Sequence, residues 1–333
     1  VFRTAFKAWT LALLCCVLIG SLLTACSSNM ENSMKTSEQQ SAISTASVSG
    51  EKSSELSGER MVIDELGHEI KVPVEPKRIF APNLEDSVIK LGVKPVAQWS
   101  NGNRGHDYLQ EELKDVPKID LSGGLPSPEV LMTYNPDLII LHTATFAQNG
   151  TYESYSKIAP TYVFNNASGN IEKSLTILGE LLGKSNEADN ALQAYQQKVN
   201  NAKEKLDKAV GGKKVAIIRF AAKGVSLMGG KYLCGYVVHE NLGLGISRLV
   251  EKKNSANVSL EILPQIDADY IFVINAYGQG TGHMKEMMKN PIWKNIPAVK
   301  QGQVYEVDNK YWLGSGLIAY EKIVDDTVRL LAK

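Results

Sequence analysis

Two stretches of this chain share one pattern. Ser127-Pro128-Glu129-Val130-Leu131-Met132-Thr133-Tyr134-Asn135-Pro136-Asp137-Leu138-Ile139-Ile140 returns 132 residues later as Ser259-Leu260-Glu261-Ile262-Leu263-Pro264-Gln265-Ile266-Asp267-Ala268-Asp269-Tyr270-Ile271-Phe272. Ser, Glu, Leu, Asp and Ile fall on the same steps in both. Each copy offers a Ser N-cap, a carboxylate in the first helical turn where the dipole favours it, and an apolar helix. An Asp-led, nearly all-apolar strand follows, the composition of a strand covered on both faces. A first-turn Glu by itself does no more than stabilise a helix. Its recurrence at one step of a repeated unit predicts two α/β lobes, each presenting a Glu at a helix start.

The stretches around the repeat supply the rest of both lobes. Met61-Val62-Ile63 and Glu69-Ile70-Lys71-Val72 flank Leu66-Gly67 and read as an edge hairpin. Arg78-Ile79-Phe80, Pro95-Val96-Ala97, Asp137–His142 and Thr161–Phe164 then read as strands between helices, the alternation of a doubly wound parallel sheet. Ligands of such sheets sit outside the carboxyl ends of the strands. That places the loops 82–83, 99–108, 142–149 and 165–169 on one rim. Residues 170–210 carry no strand pattern. A helix from about Glu187 to Val210 would be a rod of roughly 36 Å, a stiff connector. Lys214–Phe220 and Ser226–Met228 open the second lobe, and Ile318–Leu331 closes it as an amphipathic helix.

The amino terminus has another character. Arg3 and Lys7 precede an uncharged run from Ala8 to Leu23, too short and too interrupted for a spanning helix. Leu23-Thr24-Ala25-Cys26 matches the lipobox, in which the Cys26 thiol takes a diacylglyceryl group and becomes the new amino terminus. Residues 27–58 hold 11 Ser among 32 positions and read as a tether unable to bury a core. The expected organisation is a signal peptide at 1–25, a tether at 26–60, an N-terminal lobe at 61–169, a helical connector at 170–210 and a C-terminal lobe at 211–333. Cys15 and Cys16 leave with the signal, so Cys234 remains as a lone thiol and reads as a small buried hydrophobe. The body is nearly neutral, with 36 basic and 36 acidic residues over the whole chain. Nucleic acid is therefore not an expected partner.

In this order, several short stretches resemble the iron–siderophore substrate-binding lipoproteins of ABC importers, the group that includes the ferric-hydroxamate binders. They are Lys77-Arg78-Ile79, Leu91-Gly92-Val93-Lys94-Pro95-Val96, Tyr155-Ser156-Lys157-Ile158-Ala159-Pro160-Thr161 and Asn290-Pro291-Ile292-Trp293-Lys294-Asn295 with Ala298-Val299-Lys300. The resemblance covers residues 60–333. It implies two doubly wound α/β lobes joined by one long rigid helix, with a shallow ligand cleft between them, in a monomer with no resident cofactor and no catalysis. It also implies that Glu129 and Glu261 dock onto Arg pockets of a permease dimer, where charge-assisted pairs would fix orientation. The ligand it implies is a ferric siderophore, hydroxamate or citrate-hydroxamate in type.

Among cleft candidates, Arg219 ends the first strand of the second lobe in an Ile-Arg-Phe that resembles citrate-hydroxamate binders; the alternative is a salt-bridged surface Arg. Tyr311 and Trp312 precede Gly314-Ser315-Gly316, where the family often carries a cleft Trp. Trp99, Arg104 and Tyr108 lie in a rim loop, and Lys231, Tyr232 and Tyr236 follow the Gly229-Gly230 turn. Ferrichrome-type members carry an Arg in the loop before the first docking Glu, where this chain has Leu121-Ser122-Gly123-Gly124-Leu125. A ferric catecholate, haem or cobalamin would suit the same fold. His68, His106, His142, His239 and His283 are scattered, against the clustered ligands a bare-metal receptor needs. An enzyme alternative rests on Gly278-Gln279-Gly280-Thr281-Gly282, which lacks the last glycine of a dinucleotide loop.

Overall fold

The computed structural model describes residues 58–102 and 104–333. The signal segment, Cys26 and almost all of the expected tether lie outside the described residues. The hairpin is present as β1 (Glu59–Ile63) antiparallel to β2 (Glu69–Pro73). It starts at Glu59, inside the segment expected to be tether. Ile70 and Val72 alternate inward from β2, and that burial draws the hairpin into the fold.

The N-terminal lobe contains β3 (Ile79–Phe80), β4 (Gln98–Asn101), β5 (Arg104–Gly105), β6 (Lys118–Asp120), β7 (Leu138–Leu141) and β8 (Thr161–Val163). They form two three-stranded sheets in the orders β3-β7-β8 and β5-β4-β6, parallel except for β5. The Val96 N–H donates to the Ile79 carbonyl and links the two. The strand expected at 95–97 lies just beyond, and the expected rim loop 99–108 begins as the β4–β5 hairpin. Gln98 fixes this register, its buried side-chain amide donating to the carbonyls of Leu113 at 2.8 Å and Val116 at 2.6 Å.

The C-terminal lobe contains β9 (Lys214–Ala221), β10 (Gly224–Met228), β11 (Gly245–Ile246), β12 (Ser255–Asn257), β13 (Tyr270–Asn275) and β14 (Val304–Glu306). The sheet order is β12-β10-β9-β13-β14, with β11 beside β9. Strands β9, β13 and β14 are parallel, while β10 and β12 run antiparallel at one edge.

The repeat has one structural meaning in both lobes. Asp137 accepts the backbone N–H groups of Lys77 and Arg78 just before β3, at 2.7 and 2.9 Å. Asp269 accepts the N–H of Lys214 at the start of β9, at 2.8 Å. Each Asp locks its strand alongside the lobe's first strand. The helices of the two copies differ. Ser127 caps the helix Pro128–Thr133, whereas the second copy closes only a turn and the 3-10 segment Leu263–Gln265. Pro264 stands where the first copy has Met132, and a proline nitrogen cannot donate to the carbonyl four residues back.

The connector is the helix Ser185–Val210, 26 residues and about 39 Å long. Ala188, Tyr195, Val199, Ala202, Leu206 and Val210 form its buried face, at the spacing of one helical stripe. It crosses the helix Ile171–Leu181 closely at Gly179, where a Cβ would approach that of Ala188 to 2.7 Å. One apolar core runs from Ile79 and Leu138 of the first lobe, through this connector, to Ile217 and Phe272 of the second. The closing helix Leu317–Leu331 joins that core through Leu317, Ala319, Tyr320 and Ile323. Two lobes sharing a core are held as one body, since packed interiors deform little. Among the described residues, no helix is long and apolar enough to cross a membrane.

Candidate ligand cleft

A cavity of about 320 Å³ opens between the lobes. From the N-terminal lobe it takes Trp99 of β4, His106 just after β5, His142 directly after β7 and Ser168 beyond β8. From the other lobe come Tyr232, Tyr277 just after β13, and the segment Leu313–Ser315 with Lys310. Several of these residues follow a strand's carboxyl end, the rim where doubly wound sheets bind ligands. The lobes touch across it where the Ser315 hydroxyl donates to that of Ser168 at 2.9 Å.

Beneath the first-lobe wall lies a buried carboxyl. Glu85 is fully buried, and its Oε1 accepts the Trp99 N–H at 2.6 Å. Its Oε2 lies 3.2 Å from His106 Nε2, and among the described residues neither buried atom has an aligned hydrogen bond. Burial alone would lower the His106 pKa, but Glu85, Asp86 and Asp107 outweigh it and raise the value above 6.5. His142 packs its ring edge-on to Phe146, and burial lowers its pKa, with Glu85 opposing. Among the described residues, no three His, Cys, Asp or Glu side chains are arranged to hold a metal ion.

The other wall carries backbone strain. Tyr277 has φ +53° and ψ +29°, a left-handed conformation that costs a non-glycine residue about 1–2 kcal/mol. It is held there by its N–H donating to Asn309 Oδ1 at 3.1 Å. The Asn275 side chain ties the turn by accepting the Gly280 N–H. The Arg104 guanidinium crosses from the opposite lobe and lies 5.3 Å from the Tyr277 ring centroid, a cation–π contact of about 0.5–2 kcal/mol. Gly280 lies so close to the Phe220 backbone that a Cβ would meet it at 2.3 Å. Gly280 thus has a packing reason that requires no dinucleotide, and Gly278 a left-handed backbone at φ +72°.

The sequence candidates divide. Trp99 and Tyr232 line the cavity, and Arg104 lines its mouth together with Asp107, Tyr277 and Lys310. Arg219, on β9, is not in the cavity lining; it lines a separate depression of about 420 Å³ with Lys223, and its Nε is buried with no partner among the described residues. Lys231 is exposed beside Tyr232 and does not line the cavity. Tyr108 turns inward, its hydroxyl donating to Asp86 at 2.9 Å. Tyr236 lies beneath the cleft, its hydroxyl 3.2 Å from Glu172.

Trp312 corrects the expectation of a cleft tryptophan. It is fully buried, edge-on to Phe272 at 4.9 Å, with its indole N–H donating to Asp326 at 3.0 Å. Tyr311 donates to the same carboxylate at 2.7 Å and likewise faces the closing helix. From that loop, Lys310, Leu313, Gly314 and Ser315 face the ligand space instead. Cys234 is buried, with its thiol pushed up to about 12 by burial, which makes it inert. Sequence reasoning missed Glu85 and Tyr277 altogether. His106 and His142 were visible inside rim loops but counted only as scattered histidines.

Glu129 and Glu261 are both exposed, and neither lines the cavity. Exposed Val130 and Met132 flank the first, and exposed Leu260 precedes the second.

Residues 84–311 match the periplasmic binding protein family. The chain belongs to that family. Among its relatives, the probable siderophore-binding lipoprotein YfiY of Bacillus subtilis is 28% identical over 288 residues, covering 80% of this chain and 86% of that protein. The iron(3+)-hydroxamate-binding protein FhuD of the same organism is 31% identical over 249 residues, covering 72% and 76%. Staphylococcus aureus SirA, solved with staphyloferrin B, superposes with a TM-score of 0.71 at 25% identity, covering 81% of this chain and 98% of SirA. The superposed solved structures share the two-lobed architecture and the long connecting helix described above.

Proposed function

We propose that this protein is an extracytoplasmic receptor, lipid-anchored through Cys26, that captures a ferric siderophore of hydroxamate or citrate-hydroxamate type and delivers it to an ABC permease. The observation that carries the reading is the interlobe cavity at the strands' carboxyl ends, lined by Trp99, Tyr232 and Tyr277 with Arg104 and Lys310 at its mouth. Aromatic rings suit the apolar linkers of such a complex, and the cations suit its oxygen shell. The names of the relatives support the same ligand class. Exposed Glu129 and Glu261, each with apolar neighbours, support docking of both lobes on a permease dimer.

Fluorescence titration with ferric hydroxamates, citrate-hydroxamates and catecholates, together with haem and cobalamin, tests the reading. Trp99 is the tryptophan that lines the cavity, whereas Trp293 and Trp312 are buried. Saturable quenching by a ferric hydroxamate or citrate-hydroxamate, diminished in Trp99→Phe, is expected. Tight binding of only a catecholate, haem or cobalamin would refute this ligand class.

A further inference from the structure

The Glu85–His106 contact has no evident part in holding the fold. A buried carboxylate oxygen faces a buried imidazole nitrogen at 3.2 Å, and neither atom is otherwise bonded. The imidazole nevertheless lines the cavity. With Nε2 turned to Glu85, Nδ1 is the ring nitrogen left for a ligand. We propose that Glu85 holds His106 as a charged hydrogen-bond donor in the cleft wall, and that this donor selects a carboxylate-bearing, net-anionic ferric complex over a neutral trihydroxamate one. This rests on the ferric-siderophore reading and narrows it.

Charge counting supports the selection. Three hydroxamates, each −1, neutralise Fe(III) and leave an uncharged shell. Two hydroxamates and the doubly deprotonated α-hydroxycarboxylate of a citrate unit leave −1. Facing that ligand are Arg104 and Lys310 at the mouth, and the second lobe adds Arg219, whose charge acts on Tyr277, and Lys223 in a separate depression. Among the described residues, none of these four is in an ion pair. Asp107 is the acid lining the mouth. A neutral shell would leave so many unpaired cations without a counter-charge.

The groups near His106 are Glu85 and Asp86 from the helix Glu85–Lys90, the neighbouring Asp107, and Tyr108. Across the cavity it shares lining with His142, Tyr277 and Lys310. The carboxylates outweigh burial, so the ring keeps its second proton above the usual histidine range. Affinity for an anion should therefore be full at mildly acidic pH and fall as pH rises through that raised value.

The test uses the full chain with three probes: ferric citrate, the ferric complex of a citrate-bis-hydroxamate siderophore, and ferrioxamine E, a cyclic ferric trihydroxamate of zero net charge. His106→Gln should weaken a carboxylate-bearing complex about 10- to 100-fold at pH 6, the range expected for a lost charge-assisted hydrogen bond. The ratio of variant to wild-type Kd should approach one at alkaline pH, and this ratio cancels ligand speciation. Glu85→Gln keeps an acceptor for the Trp99 N–H and should give a similar loss at pH 7. Without ligand, NMR titration should show the His106 ring losing its second proton at a higher pH in wild type than in Glu85→Gln. A Kd ratio that is flat with pH, a wild-type ring that titrates no higher than in Glu85→Gln, or preference for the uncharged trihydroxamate complex would overturn this inference while leaving siderophore binding intact. Should none of the three probes bind while a catecholate, haem or cobalamin does, the ligand class itself falls, and this inference with it.

Discussion

Asp86, on the first helix of the N-terminal lobe, accepts the backbone N–H of Ala319 at 2.9 Å, in the first turn of the closing helix. Its other oxygen accepts the neighbouring Ile318 N–H at the same distance. A carboxylate from one lobe thus caps a helix of the other, where the dipole favours negative charge. Gly316 permits it, because a Cβ there would lie 2.1 Å from Asp86 Oδ1.

The cap makes stability depend on pH. Burial raises the Asp86 carboxyl from 3.8 to about 6, against the opposing pull of Ile318, Ala319, Tyr108 and His106. The folded protein holds that proton more tightly than the unfolded chain does. The resulting stability is full below about pH 4 and is lost as pH rises through 6. The difference corresponds to on the order of 3 kcal/mol. Burial lowers His142 and His239, which act with the opposite sign as pH falls below 6.5. Asp86→Asn isolates the effect. It should be less stable than wild type by about 1–3 kcal/mol at pH 4.5, since an amide N–H₂ cannot accept the Ala319 N–H. The gap should narrow towards pH 7 in denaturant melts. A gap independent of pH would contradict the assignment.

Trp312 should matter for folding and not for capture. Trp312→Ala should cost about 3–5 kcal/mol as a buried aromatic deletion. Trp312→Phe keeps most of the packing but loses the bond to Asp326, and should lower Tm while leaving siderophore affinity unchanged. Weaker binding by a well-folded Trp312→Phe would return this residue to the site.

Tyr277→Gly should separate stability from binding. Relief of the left-handed backbone, about 1–2 kcal/mol, offsets the lost stacking with Arg104, about 0.5–2 kcal/mol. Melts should change little while affinity for the ferric complex falls. Undiminished affinity would remove Tyr277 from the cleft wall.

Much of this architecture was legible because local pattern and tertiary role coincide. Asp137 and Asp269 recur on one step since each ties down the same pair of strand starts. The connector's apolar stripe announces both its length and its buried face. The site was less legible because its geometry depends on which way neighbouring side chains turn. Trp312 and Leu313 are adjacent, yet the first enters the core and the second lines the cavity. His106 looked isolated because its partner Glu85 is brought to it by the β4–β5 hairpin, 21 residues away in sequence. Pro264 was visible, but its shortening of the second repeat helix was outweighed by the match around it.

Glu129→Ala and Glu261→Ala should leave ligand affinity intact and impair uptake in cells. Loss of either exposed charge should change stability by no more than about 0.5 kcal/mol. Tenfold weaker ligand binding by either folded variant would place that Glu in the cleft and not at the permease.

The most direct test is the position of iron. A crystal of the protein grown with its ferric siderophore, measured at the iron absorption edge, should give one anomalous peak between the lobes, flanked by Trp99 and His106 on one side and Tyr277 and Lys310 on the other. A peak elsewhere would contradict the account, for example in the groove of about 490 Å³ between the connector and the closing helix, lined by Lys198, Lys205 and Arg329.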